Sequence, residues 1–303
     1  MGYHAGALVA LEEAGLDPRS SDLIVGTSAG AVVAAYLSSG WSPSDLYAYT
    51  RSAGPASAPS ADAGVYQFPP LWHTPRDRLR RVAGGAFVMV AALGHWARVA
   101  GLRTPGPWLR AAFPSGLYSS RETRRRLRSD LPAEWPRGGL YLSAVDLYSG
   151  QRVAFGAPGA PPARFSDAAL ASAAVAGFFE PVRIGERLYV DGGMRSATSL
   201  DLAVAAGCEL IVCIAPLGWE PENGVSPYRA PFRKSVLLRS IHTRRVNREV
   251  AQARAAGVQV KLLRPWLTEL PAHGVNSLRS HDRAMVAEAA RRNALRLLQG
   301  EAM

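Results

Sequence analysis

A serine between glycines is the strongest chemical signal in the sequence. Gly26-Thr27-Ser28-Ala29-Gly30 matches the pattern G-x-S-x-G and stands between the apolar run DLIVG and a stretch of small, apolar residues that favours a helix. A serine on a tight strand-to-helix turn needs glycine on both sides, because the strained crossing leaves no space for Cβ atoms. Its hydroxyl then projects at a helix N-terminus, which favours a developing negative charge. We predict that Ser28 is a nucleophile, and the alternative is a glycine-rich turn with a capping serine.

An aspartate at the end of a strand is the second signal. Asp191 follows the apolar run LYV and precedes Gly192 and Gly193. Two glycines free the chain after the strand, so the carboxylate can point into a site at the carboxyl edge of the sheet. Asp-Gly is also a strong hairpin signal, so a type I′ or II′ turn is the alternative. Together with Ser28, the carboxylate suggests a Ser–Asp dyad, in which it accepts the serine proton and returns it to the leaving alcohol.

Histidine is the usual base beside a nucleophilic serine, and a conventional α/β-hydrolase places several strands before its nucleophile. Here only 27 residues precede Ser28. None of the six histidines stands convincingly after a strand with an acidic partner. A Ser-His-Asp esterase that uses His281 or His273 is therefore an alternative to the dyad.

The elements that must position these residues alternate between short strands and helices. Apolar runs predict strands at 22–26, 139–147, 152–155, 188–190, 209–215 and 258–263, and the run at 209–215 is the clearest buried strand. Helices are predicted at 28–39, 166–176, about 232–256 and 277–299. Strands separated by helices indicate an α/β protein with a mostly parallel sheet covered on both faces. Two proline-rich segments, 53–75 and 216–231, predict long loops.

Composition excludes several classes of protein. At 48% hydrophobic residues, the chain has material for a large core and is not disordered over most of its length. Cys208 and Cys213 form no C-x-x-C pair, which argues against a disulfide scaffold and a structural zinc site. No apolar run reaches the ~18 residues of a membrane span, and residues 1–16 favour an amphipathic helix over a secretory signal. We expect a cytoplasmic protein that uses no metal or cofactor.

Positive charge is concentrated in arginine. Lys234 and Lys261 are the only lysines among 35 basic residues, and the formal net charge is +11. Arginines cluster at 76–81, 121–128, 239–248 and 291–296. Solvated helix faces are one interpretation and an anionic partner is the other. Nucleic acid is not expected, because zinc-finger spacing, an RNP-like strand and a basic zipper are absent from the sequence. Peripheral contact with an anionic membrane is expected instead, with the apolar stretch 87–93 beside the first cluster.

Four segments resemble the bacterial type of patatin-like phospholipase in sequence and in order: HAGALVALEEAGL (4–16), DLIVGTSAGAVVAAYLSSG (22–40), ASAAVAGFFEPVRIGERLYVDGG (171–193) and AAGCELIVCIAP (205–216). The resemblance implies a three-layer α/β/α sandwich with a mostly parallel central sheet. It implies one domain over 1–303, with a lid or helical insertion at 53–135 and C-terminal helices at 232–303. It also implies a serine lipid acyl hydrolase, a phospholipase or carboxylesterase, with Ser28 as nucleophile and Asp191 as base, acting through an acyl-enzyme.

The sequence departs from the family pattern at two places. The family opens with a strand and a glycine-rich loop whose N–H groups form the oxyanion hole, whereas only MGYHAG, with Gly2 and Gly6, remains at this place here. We expect that the true start lies upstream of Met1. Otherwise the hole must use other groups, first among them Gly2 and the Ala29 N–H. The family's Asp-Gly-Gly is often followed by Asn and Pro, and here MRSATSL follows. A non-catalytic protein that binds lipid or a partner on the same fold is a further alternative.

Overall fold

The computed structural model describes residues 1–52, 68–93, 114–229, 231–273 and 283–299. The helices in these ranges are α1 (Gly2–Glu13), α2 (Ala29–Ser38), α3 (Pro43–Ser52), α4 (Pro75–Leu93), α5 (Arg121–Asp130), α6 (Phe165–Ser172), α7 (Leu200–Ala205), α8 (Arg233–Ala255), α9 (Leu270–His273) and α10 (Arg283–Gln299). The strands are β1 (Leu23–Thr27), β2 (Gly139–Asp146), β3 (Arg152–Phe155), β4 (Val182–Ile184), β5 (Arg187–Asp191), β6 (Leu210–Ile214) and β7 (Gln259–Leu263). Every strand predicted from the sequence is present, and each of its ends lies within one residue of the predicted end.

The chain forms two compact units. The first contains the described residues within 1–22, 40–65 and 200–303, and the second those within 23–39 and 66–199. Ser28 and Asp191 both belong to the second unit. The organisation as one domain over 1–303 stays a prediction, and the predicted loop at 53–75 lies largely outside the described residues.

The core of the first unit is formed by α1 and α10 together with Leu263 of β7. Helices α1 and α10 pack along each other and enclose small and apolar side chains, among them Tyr3, Ala7, Val286 and Ala290. Strands β6 and β7 pair in parallel, since a helix, α8, connects them. The predicted buried strand at 209–215 is present as β6 but is only partly buried: Cys213 is buried, whereas Leu210 is 60% exposed. Strand β6 has one strand neighbour, β7, in the described part of the chain, so it is less covered than a central strand.

The second unit is built around β2, which uses both of its edges. Strand β3 pairs antiparallel with residues 142–145 of β2, as expected for a hairpin over the predicted turn at 148–150. The other edge carries two strands end to end, with β1 parallel along 139–143 and β5 antiparallel along 144–146. Because β5 runs against β1, the carboxyl ends of these two strands meet head-on beside Ser143 and Ala144. Strand β4 adds to β5 as a second hairpin.

The strand pairing qualifies the prediction of a mostly parallel sheet. Pairs connected through helices, β1–β2 and β6–β7, are parallel. The hairpins β2–β3 and β4–β5 are antiparallel, because a short turn can only reverse the chain direction. The pair β2–β5 is antiparallel as well. Parallel pairing therefore holds for β1–β2 and β6–β7, whereas β3, β4 and β5 pair antiparallel with their neighbours.

The packing of α1 against α10 depends on a glycine. A Cβ atom at Gly6 would lie 2.0 Å from the Ala287 carbonyl oxygen and 2.9 Å from the Ala290 Cβ. Replacing a helical glycine by alanine usually stabilises a protein by up to ~1 kcal/mol. We expect Gly6→Ala to destabilise the chain instead, by about 1–3 kcal/mol, because the helices must move apart. Thermal unfolding measures this, and a melting temperature equal to or above the wild-type value would contradict the packing.

Candidate active site

Ser28 occupies a strained position between β1 and α2. Its φ is 58° and its ψ is −127°, a conformation that costs a non-glycine residue of the order of 1–3 kcal/mol. The preceding strand and the following helix cross closely, since a Cβ at Gly26 would lie 2.5 Å from the Ala31 Cα. The Ser28 side chain makes no capping hydrogen bond to α2. The alternative of a capping serine is therefore wrong for this turn.

Asp191 reaches Ser28 because of the head-on meeting of β1 and β5. Thr27, the last residue of β1, lies opposite Ser143, and Asp191, the last residue of β5, lies opposite Ala144. The Ser28 hydroxyl donates a hydrogen bond of 2.6 Å to Asp191 Oδ2. The structure thus brings together the two residues that the sequence singled out, 163 positions apart.

The chain after Asp191 does not form a hairpin. It continues as a short 3₁₀ turn over Gly192–Met194, and the Gly193 N–H donates a 2.7 Å hydrogen bond to Asp191 Oδ1. A Cβ at Gly192 would lie 2.4 Å from the Ser143 carbonyl oxygen, so the chain passes β2 too closely for a side chain. The alternative of a type I′ or II′ hairpin turn is wrong, and the two glycines instead place and orient the carboxylate.

Burial dominates the electrostatics of Asp191, which is 5% exposed. Loss of hydration raises the pKa of its carboxyl to about 6, although the hydrogen bonds from Ser28 and Gly193 favour the charged form. The carboxylate is therefore ionised at neutral pH, yet much more basic than an exposed aspartate. A base of this strength, in contact with a serine hydroxyl, is suited to accept its proton.

Two further serines hold the turn, and sequence reasoning missed both. The Ser28 N–H donates to Ser172 Oγ at 3.1 Å, and the Ser172 hydroxyl donates to the Ser143 carbonyl at 2.6 Å. Thr27 Oγ1 and Ser199 Oγ share a hydrogen bond of 2.8 Å. Ser172 and Ser199 are fully buried. In the sequence, the one signal for Ser172 is a polar residue within an alanine-rich helix.

The elbow residues differ in what they offer a developing oxyanion. Ala29 is the first residue of α2, so its N–H has no acceptor within the helix. Gly30 follows it in the same turn, whereas the Ser28 N–H is already bound to Ser172. Gly2 lies in α1 of the first unit, where a Cβ would lie 2.9 Å from the Arg283 carbonyl oxygen. The oxyanion roles of Gly2 and Ala29 stay predictions.

The family profile described as patatin-like phospholipase matches residues 1–204. The chain belongs to this family. The match covers about two thirds of the sequence and includes Ser28 and Asp191. No curated protein matches the chain significantly.

Membership of the patatin-like phospholipases settles the coarser expectations. The α/β class and the three-layer α/β/α sandwich are confirmed by the family match and by the mixture of helices and strands. The family points to a lipid hydrolase that acts on lipid substrates. None of the helices in the described ranges combines the length and apolar character needed to cross a membrane.

Of the two histidines suggested for a Ser-His-Asp esterase, the structure describes His273 alone. His281 lies outside the described residues. His273 is buried in the first unit with its ring centroid 5.6 Å from that of Tyr3, and burial together with nearby Arg239 lowers its pKa to about 3. No histidine among the described residues is hydrogen-bonded to Ser28 or Asp191. The described part of the chain likewise contains no cluster of three or more His, Cys, Asp or Glu side chains placed to hold a metal.

The raised pKa of Asp191 predicts a stability cost that depends on pH. Between pH ~4 and ~6 the unfolded chain loses the Asp191 proton while the folded chain keeps it, so this residue makes stability fall as the pH rises. A pKa raised from 3.8 to about 6 corresponds to about 3 kcal/mol above pH 6. Asp191→Asn, which is neutral throughout, should therefore raise the melting temperature more at pH 7.5 than at pH 4.

Asp45 is the matched control for this measurement. It is exposed, and hydrogen bonds from Ser42 lower the pKa of its carboxyl. Its ionised form stabilises the fold above its unfolded pKa, and this contribution is lost as the pH falls. Asp45→Asn should therefore have the opposite pH dependence, with any loss of stability larger at pH 7.5. An equal effect of Asp191→Asn at both pH values would contradict a raised pKa at that site.

Ser172 is expected to be a positioning residue for the nucleophile. Ser172→Ala leaves the half-buried Ser28 N–H without its acceptor, at a cost of up to ~1–3 kcal/mol. We expect kcat for ester hydrolysis to fall about 10–100-fold with little change in KM, because Ser172 is fully buried and a bound ester cannot reach it. The control is Ser166→Ala in the same helix, since the buried Ser166 hydroxyl has no hydrogen-bond partner. Equal kcat values for the two variants would exclude this role.

Proposed function

We propose that this patatin-like phospholipase is a serine lipid acyl hydrolase whose catalytic machinery is the pair Ser28 and Asp191. The observation that carries the proposal is the 2.6 Å hydrogen bond from the Ser28 hydroxyl to a buried, basic carboxylate. The strained backbone of Ser28 and the glycines on both sides of the crossing support the same assignment. Gly192 and Gly193 support the base.

The proposed reaction has two steps. Asp191 accepts the hydroxyl proton while Ser28 Oγ bonds to the ester carbonyl carbon, and the proton then passes to the alcohol oxygen as the ester C–O bond breaks. The product is an acyl-Ser28 and a free alcohol. Water then attacks the acyl carbon, Asp191 takes its proton, and the C–Oγ bond breaks with return of the proton to Ser28. The carboxylic acid leaves, and no metal or cofactor takes part.

The negative charge of the tetrahedral intermediate is proposed to face the N-terminus of α2. The Ala29 N–H is the leading donor, because it follows the nucleophile and has no helical acceptor. Gly30 keeps this turn free of a side chain that would crowd the bound ester. The dipole of α2 favours negative charge at the same point.

A cluster of aromatic rings favours a substrate with an acyl chain. Phe68, Tyr118, Phe178 and Phe179 contact one another with ring centroids 4.5–6.1 Å apart. The two phenylalanines at 178–179 follow shortly after Ala174, whose carbonyl accepts the Asp191 N–H at 3.0 Å. The segment that anchors the base thus carries an apolar cluster in which Phe179 is buried and the other three rings are half-buried. We propose that this aromatic cluster receives the hydrocarbon part of a lipid ester.

We further propose that the chain forms a single domain, that it works in the cytoplasm, and that it contacts an anionic membrane. Nucleic acid is not proposed as a partner.

The dyad is tested by single and double substitution. Ser28→Ala and Asp191→Asn should each lower kcat/KM for a soluble ester by at least about 10³-fold, and the double variant should lose hardly more, since the two groups act as a unit. The wild-type kcat/KM should rise between pH 5 and pH 7 as Asp191 ionises. A fluorophosphonate probe should label the wild type and not Ser28→Ala. Turnover by Ser28→Ala at the wild-type rate would refute the proposal.

Controls separate the dyad from its competitors. Ser129→Ala changes an exposed serine at the end of α5 and should leave labelling and turnover unchanged. His281→Ala and His273→Gln should retain activity, whereas loss of activity in either folded variant would favour a Ser-His-Asp esterase. A folded wild-type protein that takes up no probe and cleaves no ester would favour the non-catalytic alternative.

A further inference from the structure

Helix α4 presents an apolar face to solvent. Five of its large apolar side chains are between 45% and 70% exposed: Leu79, Val82, Phe87, Met89 and Val90. Such side chains are normally the ones a helix turns inward. A contiguous exposed apolar face on a helix marks a place where something else binds.

The opposite face of α4 packs against the segment 176–177 and against a cluster that includes a residue of β5. Gly85 approaches the backbone of Gly177 so closely that a Cβ there would lie 2.9 Å from the Gly177 Cα. Val88 packs against a cluster of Val145, Leu147, Ala176 and Val190. Val190 directly precedes Asp191. The exposed face of α4 therefore belongs to a helix that packs on the hydrophobic cluster next to Asp191.

The first two turns of the same helix are basic. These turns contain one acidic residue, Asp77, and four arginines, at positions 76, 78, 80 and 81. Arg78 stacks over the ring of Trp72 at 5.2 Å, and Arg81 bonds the Gly116 carbonyl and pairs with Asp77. Arginines at one end and apolar side chains along the rest form the pattern of a helix that lies in a membrane interface, with its cations at phosphate level.

We propose that α4 is the surface by which this enzyme docks on an anionic lipid bilayer. The inference rests on the proposed function, since a lipid hydrolase must meet its substrate in an aggregated phase. The arginines select acidic head groups, and Phe87 and Val90 enter the hydrocarbon boundary. Docking through α4 brings the Asp191 strand to the membrane surface, where the ester bonds lie.

Helix α8 provides a matched comparison. Among its described side chains it exposes two apolar ones, Leu237 and Ile241, on the same face as the exposed Arg244 and Arg248. This is fewer than the five described on α4, and α8 belongs to the first unit, whereas Ser28 and Asp191 belong to the second. If positive charge and exposed apolar residues on any helix were sufficient for membrane binding, α8 would contribute to it as much as α4 does.

The test is co-sedimentation of the full chain with vesicles, in the Ser28→Ala background so that the lipid stays intact. Vesicles of phosphatidylcholine with 30% phosphatidylglycerol should bind the protein, and vesicles of phosphatidylcholine alone should not. Binding should weaken at least about tenfold on raising salt from 0.05 to 0.5 M, because the Debye length shortens. Phe87→Ser with Val90→Ser should weaken binding at least about tenfold, whereas Leu237→Ser with Ile241→Ser should change it less than twofold.

Each result decides a separate point. Undiminished binding by a folded Phe87→Ser, Val90→Ser protein, or a larger loss with the α8 variant, would overturn the role of α4. A dimer in lipid-free solution that dissociates on the α4 substitutions would show that a second copy covers this face, and would also overturn it. Wild-type hydrolysis of soluble esters without vesicle binding would refute docking and leave the dyad standing. Vesicle binding without hydrolysis would refute the dyad and leave docking standing.

Discussion

The hydrogen bond from the Ser28 hydroxyl to Asp191 Oδ2 depends on two strands that end head-on along one edge of β2. Both strand ends require a glycine nearby, because a Cβ atom at either position would clash with neighbouring backbone. Gly26 lets α2 fold back close to β1, and Gly192 lets the chain leave β5 across the Ser143 carbonyl. The contact between Ser28 and Asp191 is therefore set by the close approach of the backbone segments that carry them.

This arrangement stores free energy that the rest of the second unit must offset. Ser28 is held at a strained φ of 58°, and the Asp191 carboxylate is nearly out of water. Strained and desolvated groups persist where surrounding structure over-determines them. Here Ser172 binds the Ser28 N–H, and Ser199 binds Thr27. The same desolvation raises the pKa of the Asp191 carboxyl, so the cost in stability and the increased basicity have one cause.

Local signals in the sequence determined the elements and the two principal site residues. A buried run followed by G-x-S-x-G predicts a strand, a turn and a helix, because each requirement acts over a few residues. The turn at 148–150 between two apolar runs predicts the β2–β3 hairpin for the same reason. Asp191 could be predicted because a carboxylate before two glycines at a strand end, which alone would also fit a hairpin, complements the predicted nucleophile Ser28. The order of four motifs then identified the family.

Features that depend on contacts between residues far apart in the chain could be seen only in the tertiary structure. Asp-Gly favours a hairpin locally, yet β5 pairs with β2 and the chain turns into a 3₁₀ helix, since Gly192 must pass Ser143. No spacing marks Ser172, which is 144 residues from the amide it binds. Arginine clusters and an apolar stretch can be read from the sequence, but which side of α4 faces solvent follows from the contact of Gly85 with Gly177. Pattern fixes local conformation within a few residues, whereas contacts between distant segments depend on how the elements pack.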